Sequence, residues 1–260
     1  MGSFIQVIKS KFTPHQKTKI KMFFKNIFAF FVSHNLTALA KIYGSDKWGG
    51  HFYTPHYQKY FKKFRFKSVR FLEIGVGGYE DRYAGGNSLR MWKKFFPFGK
   101  IYALDIYDKS PQEESRIKIF KGSQVDVPFL DTVIATAGEF DLIVDDGSHI
   151  NEHVIESFKI LFPKLKLGGF YVIEDTQTSY WPHYGGDSKD LNHADTMYTF
   201  FKSFVDGLNH EELMIDGYQK TYYDKHIVSM HFYHNMIFIE KGLNNEPSNY
   251  LVDNKVKNRK

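Results

Sequence analysis

Phe71-Leu-Glu-Ile-Gly-Val-Gly-Gly78 is a short apolar run that ends in a glycine turn, with an acid two residues before the first glycine. Glycine lets a backbone reverse sharply and approach a ligand closely, so a strand ending this way opens a βα unit. From Val69 onward the chain repeats the pattern. Strands are predicted at Val69–Ile74, Lys100–Asp105, Arg116–Phe120, Phe140–Asp145 and Gly169–Glu174. Helices are predicted between most of them, at Ser88–Phe96, Val127–Ala137 and Glu152–Leu165. Such alternation predicts a parallel sheet in a doubly wound α/β fold. His226–Tyr233 and Met236–Glu240, parted by His234 and Asn235, predict an antiparallel hairpin that closes the sheet.

Upstream, one helix is expected from Gln16 to Val32 and another from Leu36 to Tyr43, after a frayed start of fifteen residues. A polar, aromatic loop then runs to Tyr57. Past Gly242 the chain is rich in Asn, Pro, Ser and Lys and reads as loose. The expected organisation is a basic helical extension with its loop over 1–66, a catalytic domain over 67–242, and a polar tail over 243–260.

The 260 residues fit one α/β domain with an elaboration. Cysteine is absent, which excludes disulfides, thiolate metal sites and cysteine nucleophiles. Any metal must therefore use oxygen or imidazole ligands. The net charge of +6 is uneven: residues 1–70 hold fourteen Lys and Arg against Asp46 alone. That basic part fits an acidic partner (nucleotide-sugar phosphates, RNA or a membrane surface) or a solvated face. Phe23, Phe24, Ile27, Phe28 and Phe31 recur at helical spacing, which favours an oligomer contact or packing on the main domain over membrane docking. The apolar run is too short to span a bilayer and has no leader-type cleavage site, so a cytoplasmic protein is expected.

Open α/β sheets bind ligands outside the carboxyl ends of their strands. The first turn has the spacing E-x-G-x-G-G across Glu73, Gly75, Gly77 and Gly78. A pyrophosphate-binding turn wants G-x-G-x-x-G. The acid and the missing third glycine disfavour a pyrophosphate and tolerate a cationic ligand. Asp105 ends the second strand, placed to accept ribose hydroxyls, and the loop Lys121-Gly-Ser-Gln-Val-Asp126 carries Gln124 and Asp126 toward an adenine. This adenosine site without a phosphate element points to S-adenosylmethionine rather than NAD or ATP.

The fourth strand ends in Asp145-Asp-Gly-Ser-His149 and the fifth in Glu174-Asp175. Four carboxylates in one cleft repel one another unless a cation neutralises them. Hard oxygen ligands point to Mg²⁺ or Mn²⁺. Asp145 is assigned to the cofactor, and Asp146, Glu174 and Asp175 to the metal. His149 follows on the strand-to-helix turn, and imidazole titrates near neutral pH, which suits a general base.

The stretches Asp145-Asp-Gly-Ser-His149, Val172-Ile-Glu-Asp-Thr-Gln-Thr-Ser-Tyr-Trp-Pro182, Tyr43-Gly-Ser-Asp-Lys47 and Tyr53-Thr-Pro-His-Tyr57 resemble the macrolide-sugar O-methyltransferases and related methyltransferases of bacterial capsular sugars. The resemblance covers roughly residues 36–242. It implies a class I methyltransferase, a Rossmann-like seven-stranded sheet with an antiparallel last strand, here with a short N-terminal helical extension. It implies a metal on Asp146, Glu174 and Asp175, with His149 as base. It also brings Ser45 and Lys47 to the cofactor and implies a homo-oligomer. Tyr53, His56, Tyr57 and Trp181 are placed to cover a sugar.

The chain is rich in Phe, Tyr, Lys, Asn and Ile, as AT-rich coding produces. That tilts the expected acceptor toward a GDP- or dTDP-linked sugar for a surface polysaccharide. A macrolide sugar or other glycosylated natural product is the alternative, and RNA a further one. No nucleic-acid partner and no membrane span are expected. An NAD-linked oxidoreductase lacks its pyrophosphate loop. A non-haem iron oxygenase normally wants two histidines and one carboxylate, and here that ratio is reversed.

Overall fold

In a computed structural model describing residues 14–256, the chain divides into two compact units. The expected frayed start lies largely outside the described residues. One unit joins residues up to Lys67 with Gly86–Phe98, and the other joins Ser68–Gly85 with Gly99–Lys260.

The first unit holds α1 (Pro14–Phe31), α2 (Leu36–Tyr43), α3 (Thr54–Phe61) and α4 (Asn87–Phe95). Asn35 caps α2 by accepting from the Ala38 amide at 3.0 Å, and Gly44 ends it in a left-handed conformation. Lys25 donates to the Tyr43 carbonyl and the Tyr43 hydroxyl to Asn26, which ties α1 to α2. Tyr57 meets Trp92 at 4.9 Å between ring centroids, and Phe61 meets Trp92 at 5.8 Å. This core also takes in residues 86–98, beyond the expected boundary at 66. The helix of Leu89, Trp92 and Phe95 follows the first strand in sequence, yet its aromatic face belongs to the helical unit. On α1, Phe23, Phe24, Phe28, Phe30 and Phe31 are exposed.

The second unit is a seven-stranded sheet: β1 (Arg70–Ile74), β2 (Lys100–Asp105), β3 (Ile117–Lys121), β4 (Phe140–Asp145), β5 (Leu165–Glu174), β6 (Ile227–Tyr233) and β7 (Met236–Lys241). Their order is β3-β2-β1-β4-β5-β7-β6. β7 runs antiparallel to both neighbours, because the turn at His234 and Asn235 returns the chain directly beside β6. The helices are α5 (Val127–Ala137), α6 (Asn151–Leu161), α7 (Met197–Lys202), α8 (Phe204–Leu208) and α9 (Tyr222–His226). Ile74, Ile143, Phe158, Tyr171, Ile173 and Ile239 share one apolar core. Ile74 pairs with Asp145 and Asp145 with Ile173, so β1, β4 and β5 end level and their loops meet.

Over its described residues, 243–256, the tail is not loose. Leu251–Val252 and Lys255–Val256 pair as a small hairpin. Leu251 is buried, and Asn254 donates to the carbonyls of His210 and Leu213. Sparse but well-placed side chains pin a segment whose average composition reads as disordered.

Candidate functional site

The glycine turn after β1 is braced from two sides. The Gly75 amide donates to the Leu104 carbonyl at 2.8 Å, and the Val76 amide to Asp105 at 2.9 Å. Gly75 has a φ of +92°, and a Cβ there would stand 2.1 Å from the Asp146 carbonyl oxygen. No side chain fits, so the turn after β1 lies directly on the turn after β4. Gly77 continues it in the left-handed region. The other Asp105 oxygen accepts from the Tyr107 amide, so this half-buried carboxylate holds both turns at the β2 end.

At the ends of β4 and β5 three side chains converge. His149 Nε2 lies 3.9 Å from Asp146 Oδ1 and 3.7 Å from Asp175 Oδ2. One ligand atom from each of Asp146, His149 and Asp175 falls within 4.8 Å of the others. All three side chains are about a fifth exposed, open enough to meet a small ligand. His149 and Asp175 have φ of +56° and +54°. A non-glycine residue there is strained by about 1 kcal/mol or more, and such strain gathers at functional sites.

Each acidic pair is split by strand alternation, which sends neighbouring side chains to opposite sides. Asp145 and Glu174, the last strand residues, are buried, whereas Asp146 and Asp175 open outward. Asp146 and Asp175 group with His149, while Glu174, expected beside them, is buried at the end of β5. Asp145 is enclosed. Burial, with the Asp146 charge adding to it, pushes its carboxyl up to about 7 against the Gly147 amide, the Tyr171 hydroxyl and the Gln124 carboxamide. Tyr171 is pushed up in turn, by burial and by Asp145.

Most of the other residues expected to meet the cofactor are buried. Glu73 is fully buried within β1. Gln124 is buried and spends its carboxamide on Ser148, Ser157 and Asp145. Asp126 caps α5 by accepting from the Phe129 amide at 3.2 Å. Within the helical unit Ser45 and Lys47 are buried. Tyr57 is a core residue of the helical unit, between Phe61 and Trp92. Tyr53 is buried and stacks on His51 at 4.7 Å. His56 stays half-exposed, with burial and then Lys59 lowering its pKa.

Beyond β5, Trp181 is 43% exposed and stands over His183 and Tyr184 at 6.0 Å from each ring. Sequence reasoning missed what holds this aromatic segment. Asn151, fully buried at the start of α6, donates to the carbonyls of Thr178 and Tyr184 and accepts from the Met197 amide. Its position two residues after His149 was the one available signal.

The sheet order and the cluster at the β4 and β5 ends define a class I methyltransferase fold. No family model matches the chain. It is 51% identical over 214 residues to a demethylmacrocin O-methyltransferase of Streptomyces fradiae, covering 82% of this chain and 54% of that protein. It is 45% identical over 210 residues to an 8-demethyl-8-alpha-L-rhamnosyl tetracenomycin-C 2'-O-methyltransferase of Streptomyces olivaceus, covering 80% of this chain and 55% of that one. Among solved structures it matches the MycE methyltransferase of the mycinamycin biosynthetic pathway, in complex with Mg, SAH and mycinamycin VI. That match has a TM-score of 0.78 at 48% identity, over 82% of this chain and 55% of that one. This chain is a homologue of the macrolide-sugar O-methyltransferases, and it spans about half the length of the relatives it matches. A nucleotide-linked, surface-polysaccharide substrate has no counterpart in these names. Among the described residues no helix is long and apolar enough to cross a membrane.

Proposed function

We propose that the chain is an S-adenosylmethionine-dependent O-methyltransferase, assisted by a divalent metal, that methylates a sugar hydroxyl of a glycosylated small molecule. The observation that carries this reading is the open cluster of Asp146, His149 and Asp175, in a homologue of enzymes named for that reaction. The metal-bearing relative supports the same cofactors here.

Asp146 and Asp175 offer hard, anionic oxygens, which suit Mg²⁺ or Mn²⁺, and no thiolate competes. When bound, the metal acidifies a hydroxyl beside it, and S-adenosylmethionine supplies an electrophilic methyl. His149 takes the proton at Nε2, the ring nitrogen that lies 3.7 Å from Asp175 and 3.9 Å from Asp146. The hydrogen bonds that hold the 146–149 turn fix its groups before substrate arrives, so little reorganisation remains at the moment of reaction. Trp181, exposed on the segment after β5, offers an apolar face to sugar C–H groups and shields the hydroxyl from water.

The test is mass spectrometry of glycosides incubated with enzyme and S-adenosylmethionine, with Mg²⁺, with Mn²⁺ and with chelator. A gain of one methyl that chelator abolishes is expected. Product formed equally well in chelator would refute the metal's part. Methylation confined to free nucleotide sugars would return the acceptor to the polysaccharide reading.

A further inference from the structure

The turn of residues 146–149 carries both Asp146 and His149, and a side chain from another loop grips its middle. Gln124 lies between β3 and α5 and is 6% exposed. Its Oε1 accepts from the Ser148 amide at 2.9 Å. Its Nε2 donates to Ser157 Oγ on α6 at 2.8 Å and lies 3.3 and 3.4 Å from the two carboxylate oxygens of Asp145. Ser157 Oγ is anchored in turn on the His153 carbonyl at 2.6 Å. A backbone amide can only donate, so the oxygen of the carboxamide must face Ser148, which fixes the orientation of the group. Both its oxygen and its nitrogen are thus bonded within the protein.

The turn also rests on this carboxamide sterically. A Cβ at Gly147 would lie 2.4 Å from Gln124 Oε1 and 2.8 Å from Ile74 Cγ2. One residue beyond Ser148, His149 holds a left-handed backbone with φ +56°. A strained conformation persists only where its surroundings over-determine it. Here the ties are the Asp146 amide to the Ile74 carbonyl at 3.0 Å and the Ser148 amide to Gln124.

We infer that Gln124 is a positioning residue: through the Ser148 amide it locks the 146–149 turn, and with it the reach of His149 to Asp146 and Asp175. It acts through the turn and touches neither adenine nor substrate. The inference rests on the proposed role of His149 as base. A reacting group misplaced by about 1 Å loses on the order of 100-fold in rate, without loss of affinity for a ligand held elsewhere.

The test compares wild type with Gln124→Met, which keeps the length and removes both hydrogen-bonding edges, and with Gln124→Asn, the milder variant. Asn keeps a carboxamide but is too short to span Ser148 and Ser157. In each variant that folds, kcat is expected to fall, by about 100-fold for Gln124→Met. KM for S-adenosylmethionine and calorimetric affinity for S-adenosylhomocysteine should stay within twofold. The His149 Cε1–H NMR signal, assigned by its loss in His149→Gln, should shift or broaden. Cofactor affinity down tenfold with kcat held would make Gln124 an adenine contact and overturn the inference. Kinetic constants and His149 signal at wild-type values would overturn it equally. If wild type itself methylates no glycoside, the proposed reaction is at fault. The inference then stands or falls on the His149 signal and the cofactor affinity.

Discussion

Asp145 is enclosed next to the open carboxylate of Asp146, and its enclosure sets a pH dependence with a definite sign. Its carboxyl moves from an ordinary 3.8 to about 7, chiefly through burial and secondarily through Asp146. The folded pKa thus lies above the unfolded one. Between those values the unfolded chain releases a proton that the folded chain keeps. The group therefore costs nothing below about pH 4, destabilises progressively as pH rises, and levels off above about pH 7. The slope approaches about 1.4 kcal/mol per pH unit, and the whole window amounts to about 4 kcal/mol. That is large beside the roughly 5–15 kcal/mol that holds a domain folded. Asp145→Asn keeps the size and one acceptor and removes the ionisation. Urea unfolding of both proteins should be followed in chelator from pH 4.5 to pH 8, with m-values checked for equality. The stability of wild type relative to Asp145→Asn should decline by about 4 kcal/mol across the window and then run flat. Parallel curves would show that Asp145 ionises normally and that its enclosure is illusory.

Three further outcomes follow from particular contacts. His149→Ala should lower kcat by at least about 100-fold while calorimetric affinity for S-adenosylhomocysteine is retained; turnover near wild type would remove the base from His149. Asn151→Ala strips partners from the Thr178 and Tyr184 carbonyls and the Met197 amide, at a cost of roughly 3 kcal/mol. Amide exchange in residues 176–186 should quicken, and unchanged exchange there would deny that Asn151 clasps the segment carrying Trp181. Lys241, buried at the end of β7, donates to the carbonyls of Phe162, Pro163 and Leu165. Lys241→Met should lower Tm by several degrees, since each lost kcal/mol is worth about 2–4 °C in a domain of this size; an unshifted melt would show that water replaces the ammonium.

Local pattern sufficed for the sheet because its information is local. Apolar runs ending at Gly75, Asp105 and Asp145 mark strands, and a two-residue turn makes β6 and β7 antiparallel neighbours. The destination of α4 is a long-range matter. Leu89, Trp92 and Phe95 announce a buried face, but only Tyr57 and Phe61, some thirty residues upstream, say where it is buried. The tail failed for a related reason, since composition averages away the two or three side chains that pin it.

The site divides along the same line. Asp146, His149 and Asp175 meet because adjacent parallel strands end level, which the strand pattern implies. Asp145, Gln124 and Asp126 each offer hydrogen bonds at or just past a strand end, and the sequence pattern therefore directs them toward a ligand. Yet the turns beside a ligand have their own amides to satisfy, and buried amides rarely go unpaired. Gln124 answers Ser148, twenty-four residues away, and Asp126 answers Phe129. A polar residue at a strand end thus has two claimants, the ligand and the neighbouring turn. The turn's claim grows with its strain. Beside the left-handed His149, the Ser148 amide takes the Gln124 oxygen, so the neighbouring turn draws on the same carboxamide that the sequence pattern assigns to an adenine.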